Sequence, residues 1–153
     1  MIGDIVFFKN KSFISKAIKW FTTSNWSHVG CMIDYNNNMI EATWPRVKIS
    51  NISSYKGCEY AVLRLKQNLT DEQKIKILDF LKDKIDKRYD WRGIISFVIK
   101  SNYQNKNWFF CSELVIEAYR AAGIELLRKE TQWVTPQDLF ETLSLEIVDK
   151  GII

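Results

Sequence analysis

Apolar and polar positions alternate along this chain in two rhythms, one repeating every second residue and one at helical spacing. The run Asp4-Ile5-Val6-Phe7-Phe8 is short, β-branched and aromatic, and it predicts a buried strand after a Gly3-Asp4 turn. Ser12 can cap a helix whose apolar positions Phe13, Ile14, Ala17, Ile18 and Phe21 recur with the helical repeat. Strand character returns from Trp26 to Asp34, and the turn-rich cluster Asp34-Tyr35-Asn36-Asn37-Asn38 leads into a returning arm, Met39 to Thr43. Pro45 ends that arm, and the next predicted strand runs from Glu59 to Leu65.

Thr70 followed by Gln73 forms a capping-box pattern ahead of a helical stripe at Ile75, Leu78, Leu81 and Ile85. Ile94 to Ile99 is apolar and compatible with a helix, and the polar stretch Lys100 to Asn107 reads as a mobile loop. A helix from Cys111 to Ala122 follows, with Gly123 placed to stop it. Thr135-Pro136-Gln137-Asp138 opens a last helix with cap, proline and first-turn acid in preferred positions. Ile147-Val148 is expected to add an edge strand. With no internal repeat and no linker, the economical reading is a single α+β domain over residues 1–153.

Composition narrows the class. The 153 residues are 46% apolar and 14% aromatic, enough to build a core and far from a disordered composition. The net charge of +4 is spread along the chain with no basic run, so no nucleic-acid partner is expected. The acid at Asp4 and the shortness of the Ile5–Phe8 run argue against a signal peptide, and no segment reads as a membrane span. The compartment therefore stays open between cytoplasmic and phage- or virus-delivered. Three cysteines with no CxxC pair make a zinc knuckle or a disulfide framework a poor reading, and no metal or cofactor is expected.

Each cysteine is then judged alone. Cys31 alternates with Val29 and Ile33 on an apolar strand face, and Cys58 follows a glycine in a loop, so both are expected to be structural or incidental. Cys111 opens a helix whose Leu114, Val115 and Ala118 form a docking stripe, with Glu113, Glu117 and Arg120 largely on the other side. A thiol there meets the positive end of the helix dipole and free backbone N–H groups, which favour thiolate and can hold an oxyanion. The competing reading is an inert core cysteine amid Trp108, Phe109 and Phe110.

His28 is the only histidine, so any Cys–His chemistry must use it. Alternation puts His28, Gly30 and Met32 on one strand face, and the glycine leaves room for close approach. A two-residue turn at Tyr35-Asn36 sets Glu41 opposite Gly30, diagonal to His28 and on its face. A turn at Asn36-Asn37 keeps the face and lengthens the reach, while a one-residue slip reverses it. From there a carboxylate can orient the imidazole and stabilise its charged form.

Together these pieces resemble the NlpC-type papain-like cysteine hydrolase superfamily, in its circularly permuted, YiiX-like branch. The matching stretches are Gly3-Asp4-Ile5-Val6-Phe7-Phe8, Ser27-His28-Val29-Gly30, Ile40-Glu41-Ala42 and Phe110-Cys111-Ser112-Glu113-Leu114-Val115, with Tyr89-Asp90-Trp91 and Thr135-Pro136-Gln137-Asp138-Leu139 as further pieces. The histidine strand precedes the cysteine helix here, which is the permuted order. The resemblance implies a papain-like fold, an antiparallel sheet or partial barrel packed against helices. It implies Cys111 as nucleophile, His28 as base and Glu41 as third member. Ser112 is implied at the substrate site, and so is Tyr89, for which a core position is the alternative.

The activity implied is amide hydrolysis through a thioester, as peptidase or amidase, with cell-wall peptides among the expected substrates. A second reading is a lipid or acyl-ester hydrolase or acyltransferase of the same fold, which Trp20, Phe21 and Trp26 would support if exposed. A third is a binding module that keeps the cleft without turnover. The partner is thus a peptide-like or acyl substrate, at a cell wall or membrane surface.

Overall fold

The computed structural model describes residues 1–9, 25–89, 108–109, 111–128 and 134–153, with the backbone alone at 89, 108 and 109. Among these, eight strands form one sheet in the order β7-β6-β4-β3-β2-β1-β5-β8. The strands are β1 (Ile5–Lys9), β2 (His28–Met32), β3 (Asn38–Thr43), β4 (Arg46–Asn51), β5 (Glu59–Leu65), β6 (Arg88–Tyr89), β7 (Trp108–Phe109) and β8 (Leu145–Ile152). Six of them are long and antiparallel, and the two-residue β6 and β7 run parallel to each other. The helices are α1 (Asp71–Asp83), α2 (Cys111–Ala121) and α3 (Pro136–Phe140), with a 3₁₀ turn at Ile52–Tyr55. This is the α+β, sheet-on-helix arrangement expected of a papain-like chain.

The β1 sequence explains its central place. Ile5, Val6, Phe7 and Phe8 are all fully buried, because β2 and β5 flank the strand and both sheet faces are covered. Ile5 and Phe7 enter the larger core with Val29, Cys31, Ile40, Ala42 and the α2 residues Leu114, Val115 and Ala118. Val6 and Phe8 enter a smaller cluster on the opposite face with Met32, Met39 and Val62.

Local chemistry fixes the helix ends. In α1, Thr70 and Gln73 exchange reciprocal side-chain to backbone hydrogen bonds at 3.0 and 3.2 Å, closing the expected capping box. Its inward stripe is rotated from the predicted one: Ile77 and Leu81 are buried, whereas Ile75 is 57% exposed. Two isoleucines flanking Lys76 offer nearly equal stripes, and packing against α2 selects the second. α2 ends as expected: Gly123, at φ +76°, donates to Arg120, and Ile124 donates to Tyr119, the paired bonds of a Schellman stop. Thr135 and Asp138 box the start of α3.

Two expectations change. No strand is predicted between Pro45 and Glu59, yet β4 pairs with β3 over six residues. Its Arg-Val-Lys-Ile alternation is a strand rhythm that the charged positions obscured. Trp26 is buried, edge-on to Phe7 and tilted on Phe140, so it is a core residue. The predicted helix at residues 12–21, with Trp20 and Phe21, and the predicted segments 94–99 and 100–107 lie outside the described residues. Among the described residues, no helix is long and apolar enough to cross a membrane.

Candidate active site

The hairpin between β2 and β3 sets the geometry. Asp34 accepts from the backbone N–H groups of Asn36 and Asn38 at 2.8 and 3.0 Å, and Asn37 takes φ 63°. This turn fixes Cys31 opposite Ile40 and Met32 opposite Met39, the register in which Gly30 faces Glu41. A Cβ on Gly30 would lie 2.9 Å from the Met39 sulfur and 3.4 Å from the Glu41 Cβ, so glycine is what permits the approach.

The β2–β3 ladder stops at Cys31–Ile40, while β2 continues along β1 to pair His28 with Phe8, and β3 continues along β4 to Thr43–Arg46. The two strands therefore splay at the His28 end. His28 lies on the Phe8 face, whereas the body of α2 packs on the Val29 and Cys31 face. In a flat sheet β7, which leads into Cys111, would stand roughly 19 Å from β2. The helix that Cys111 opens nevertheless packs directly on β2 and β3.

His28 Nε2 sits 2.5 Å from Glu41 Oε2, and Cys111 stands near enough to the ring to act on its charge. With Nε2 engaged, Nδ1 is the nitrogen left for the thiol. Burial disfavours the charged ring. Hydrogen bonds to Cys111 and Glu41, together with their charges, outweigh it and raise the His28 pKa from 6.5 to about 10. Glu41 is 1% exposed. Burial pushes its carboxyl up, but the His28 hydrogen bond and charge, then Ser50 and Tyr55, bring it down to about 2. The pair is thus held as imidazolium and carboxylate.

Glu41 is held on every side. Ser50 donates to Oε1 at 2.6 Å, Tyr55 donates to Oε2, and Lys48 Nζ stands 3.9 Å from Oε1. The Tyr55 ring stacks on Phe8 at 4.0 Å and on His28 at 5.8 Å, with interplanar angles of 15° and 16°. Burial and the Glu41 charge raise the Tyr55 phenol far above its usual range, so it remains a donor. The sequence reading missed both Ser50 and Tyr55. Ser50 would follow from recognising β4, since it lies on the face of Lys48, directly across from Glu41. Tyr55 carries no local signal, because the 3₁₀ turn folds it back over the sheet.

The structure places His28 and Glu41 in direct contact, with Cys111 near enough to act on the charge of the ring. Cys111 is the first residue of α2, where backbone N–H groups have no intrahelical acceptor. The buried Ser112 hydroxyl donates to the Val134 carbonyl at 2.5 Å, tying α2 to the segment before α3. The Tyr89 backbone lies in β6, and its expected role concerns a side chain outside the described residues. Cys31 is fully buried, and Cys58 is half-buried at the end of the 3₁₀ loop.

A cysteine at a helix start against a strand histidine, with the strand first in the chain, defines a papain-like fold in permuted order. The chain belongs to the permuted papain-like amidase family C92, of the YaeF/YiiX type, whose model matches residues 1–148. It is 29% identical to the probable lipoprotein peptidase YaeF of Escherichia coli (strain K12), across 90% of this chain and 61% of that protein. It is 32% identical to the uncharacterized protein YiiX of the same strain, across 88% of this chain and 67% of the relative. The chain thus spans less than two thirds of the length of YaeF. A crystal structure described as metalloprotein yiiX from Escherichia coli O157:H7 superimposes with a TM-score of 0.78 at 24% identity, covering 100% of this chain and 98% of that one. That likeness carries the fold.

Proposed function

We propose that this chain is a thiol amidase that cleaves a peptide-like amide through a thioester on Cys111. The carrying observation is the single imidazole bridging Cys111 and Glu41, with its pKa raised to about 10. His28, already the imidazolium, holds the proton while the thiolate sulfur of Cys111 attacks the amide carbon. The oxyanion accepts from the backbone N–H of Cys111 at the helix start. The imidazolium then gives its proton to the departing amine, leaving the acyl group on sulfur. Water, deprotonated by His28, attacks the thioester, and the carboxylic acid leaves as the thiol is restored. Glu41 keeps the ring in place and its charge balanced throughout.

No step uses a metal. Among the described residues no three His, Cys, Asp or Glu side chains converge as metal ligands, and the Glu41 oxygens are already engaged, so the donor set does not fit one. The peptide reading is preferred to the acyl-ester reading because the family is one of amidases and Trp26 is core. The name of YaeF is consistent with a peptide substrate near a membrane.

The test offers peptide anilides and acyl esters side by side and follows Cys111 by mass spectrometry. The expected result is an acyl adduct on Cys111 that forms from the peptide and decays with release of acid. Ester-only turnover would transfer the site to acyl chemistry. Peptide turnover by Cys111→Ala would remove the thioester route, and tight binding with no adduct would favour a binding module.

A further inference from the structure

Three cations sit in consecutive cross-strand positions next to the proposed catalytic residues. Lys48 lies directly opposite Glu41, Arg46 opposite Thr43, and Arg88 of β6 opposite Arg46. Val47, between Arg46 and Lys48, points into the helix-side core, so both cations share the face of Glu41 and His28. Arg46 and Lys48 are 56% and 52% exposed, and Arg88 is exposed as well. β6 also pairs with β7, the strand that leads into Cys111. The cations therefore occupy the two strands between the nucleophile's lead-in and the strand of Glu41.

This arrangement works against stability. Two arginines directly opposed across a strand pair repel each other. Arg46 has one exposed partner, Asp86 at 3.1 Å, and Lys48 stands 3.9 Å from a Glu41 oxygen that already accepts from Ser50. Among the described residues Arg88 has no carboxylate partner. Guanidinium forks at such a site match a carboxylate in a bidentate geometry.

We infer that Lys48, Arg46 and Arg88 form a cationic shelf that selects amide substrates carrying a carboxylate close to the scissile bond, that is, acidic peptides. Arg46 lies two strand residues from Lys48, about 6.6 Å, which is the span of two residues of an extended peptide. An acyl lipid is the poorer fit. Trp44 is exposed beside the shelf and Ile49 is exposed on the other face of β4, while Leu143, Ile147 and Ile152 lie around β8 at the opposite edge of the sheet. This inference rests on Cys111 being the reactive thiol.

The test uses reagents that need no known substrate. N-iodoacetyl-glutamate and N-iodoacetyl-glutamine alkylate a thiol with loss of iodide and differ in one carboxylate. Rates at Cys111 are read by mass spectrometry and divided by the rate with plain iodoacetamide for the same protein. The wild type is expected to prefer the glutamate reagent about tenfold at low salt, the scale of one charge-assisted hydrogen bond. Arg46→Gln/Arg88→Gln should bring that ratio near one, added salt should shrink it, and Asp86→Asn should raise it. A wild-type ratio near one, or a ratio unmoved in the double variant, with normal iodoacetamide labelling, would overturn the shelf and leave the nucleophile assignment standing. Failure of plain iodoacetamide to label Cys111 would instead overturn that assignment and this inference with it.

Discussion

On the helix-covered side of the sheet, Val29, Cys31, Ile40 and Ala42 meet Leu114, Val115 and Ala118 in an apolar interior. On the other side, the same strands present His28 and Glu41, tied to Ser50 and Tyr55 and stacked on Phe8. Both buried cysteines belong to the helix-side core but have different neighbours. Cys31 has hydrophobic neighbours, and burial, followed by the Asp4 charge, pushes its thiol up to about 12. Cys111 belongs to the same core by its helix but ends beside an imidazolium. The two thiols differ in their neighbours: Cys31 is surrounded by apolar groups and the Asp4 charge, and Cys111 stands beside His28.

The sharpest break of this contrast is Cys111→Ala, which should lower amide turnover by about 10⁴-fold or more, with His28→Ala adding little to it because the two act as one unit. Steady-state kcat/KM on both single variants and the double variant measures this. Independent, multiplicative losses would contradict a joint role.

Next is Glu41→Gln, expected to cost on the order of 10²–10⁴-fold in kcat, as loss of the group that orients a catalytic histidine does. The sole histidine makes the cause directly readable by NMR titration. Its pKa should fall from about 10 toward 6.5. The sign follows from linkage. A raised His28 pKa contributes stability that is fully present below 6.5 and lost as pH rises through about 10. The lowered Glu41 pKa contributes stability present above 4.5 and lost as pH falls toward about 2. In the variant both limbs should contract toward neutrality. An unmoved histidine titration would show that Glu41 does not govern the ring.

Tyr55→Phe removes one hydrogen bond to Glu41 and keeps the stack on His28 and Phe8. It should cost about tenfold in kcat, the worth of a hydrogen bond to a charged acceptor, with a smaller downward shift of the histidine pKa. Tyr55→Leu should cost more, since it also removes the stack. The ordering of the two variants is the readout.

The smallest effect belongs to the apolar side. Cys31→Ala should lower stability by about 1 kcal/mol in urea unfolding and leave Cys111 alkylation at its wild-type rate. A large change in Cys111 labelling would mean that the two thiols are not separate environments.

Much of the fold was legible because it rests on short-range chemistry. Thr70 with Gln73, Thr135 with Asp138, and Gly123 each fix a helix end through bonds within a few residues. The cluster Asp34 to Asn38 set the hairpin register, and with it the face of Glu41. β4 was not legible, because its alternation is carried by Arg46, Lys48 and only two apolar residues, Val47 and Ile49. The phase of α1 was not legible either, since Ile75 and Ile77 are equivalent until a neighbouring helix chooses between them.

The sequence by itself determined which residues offered the chemistry: one histidine, a cysteine at a helix start, and a glutamate on the returning strand opposite a glycine. It could do so because side-chain type, caps and strand alternation are local properties. Only the tertiary structure decided that the thiol reaches the imidazole, that Ser112 turns away to Val134, and that Tyr55 folds over Glu41 and His28. Those outcomes depend on how α2 and the 3₁₀ turn pack on the sheet, and distances between segments some eighty residues apart are set by packing, not by any local pattern.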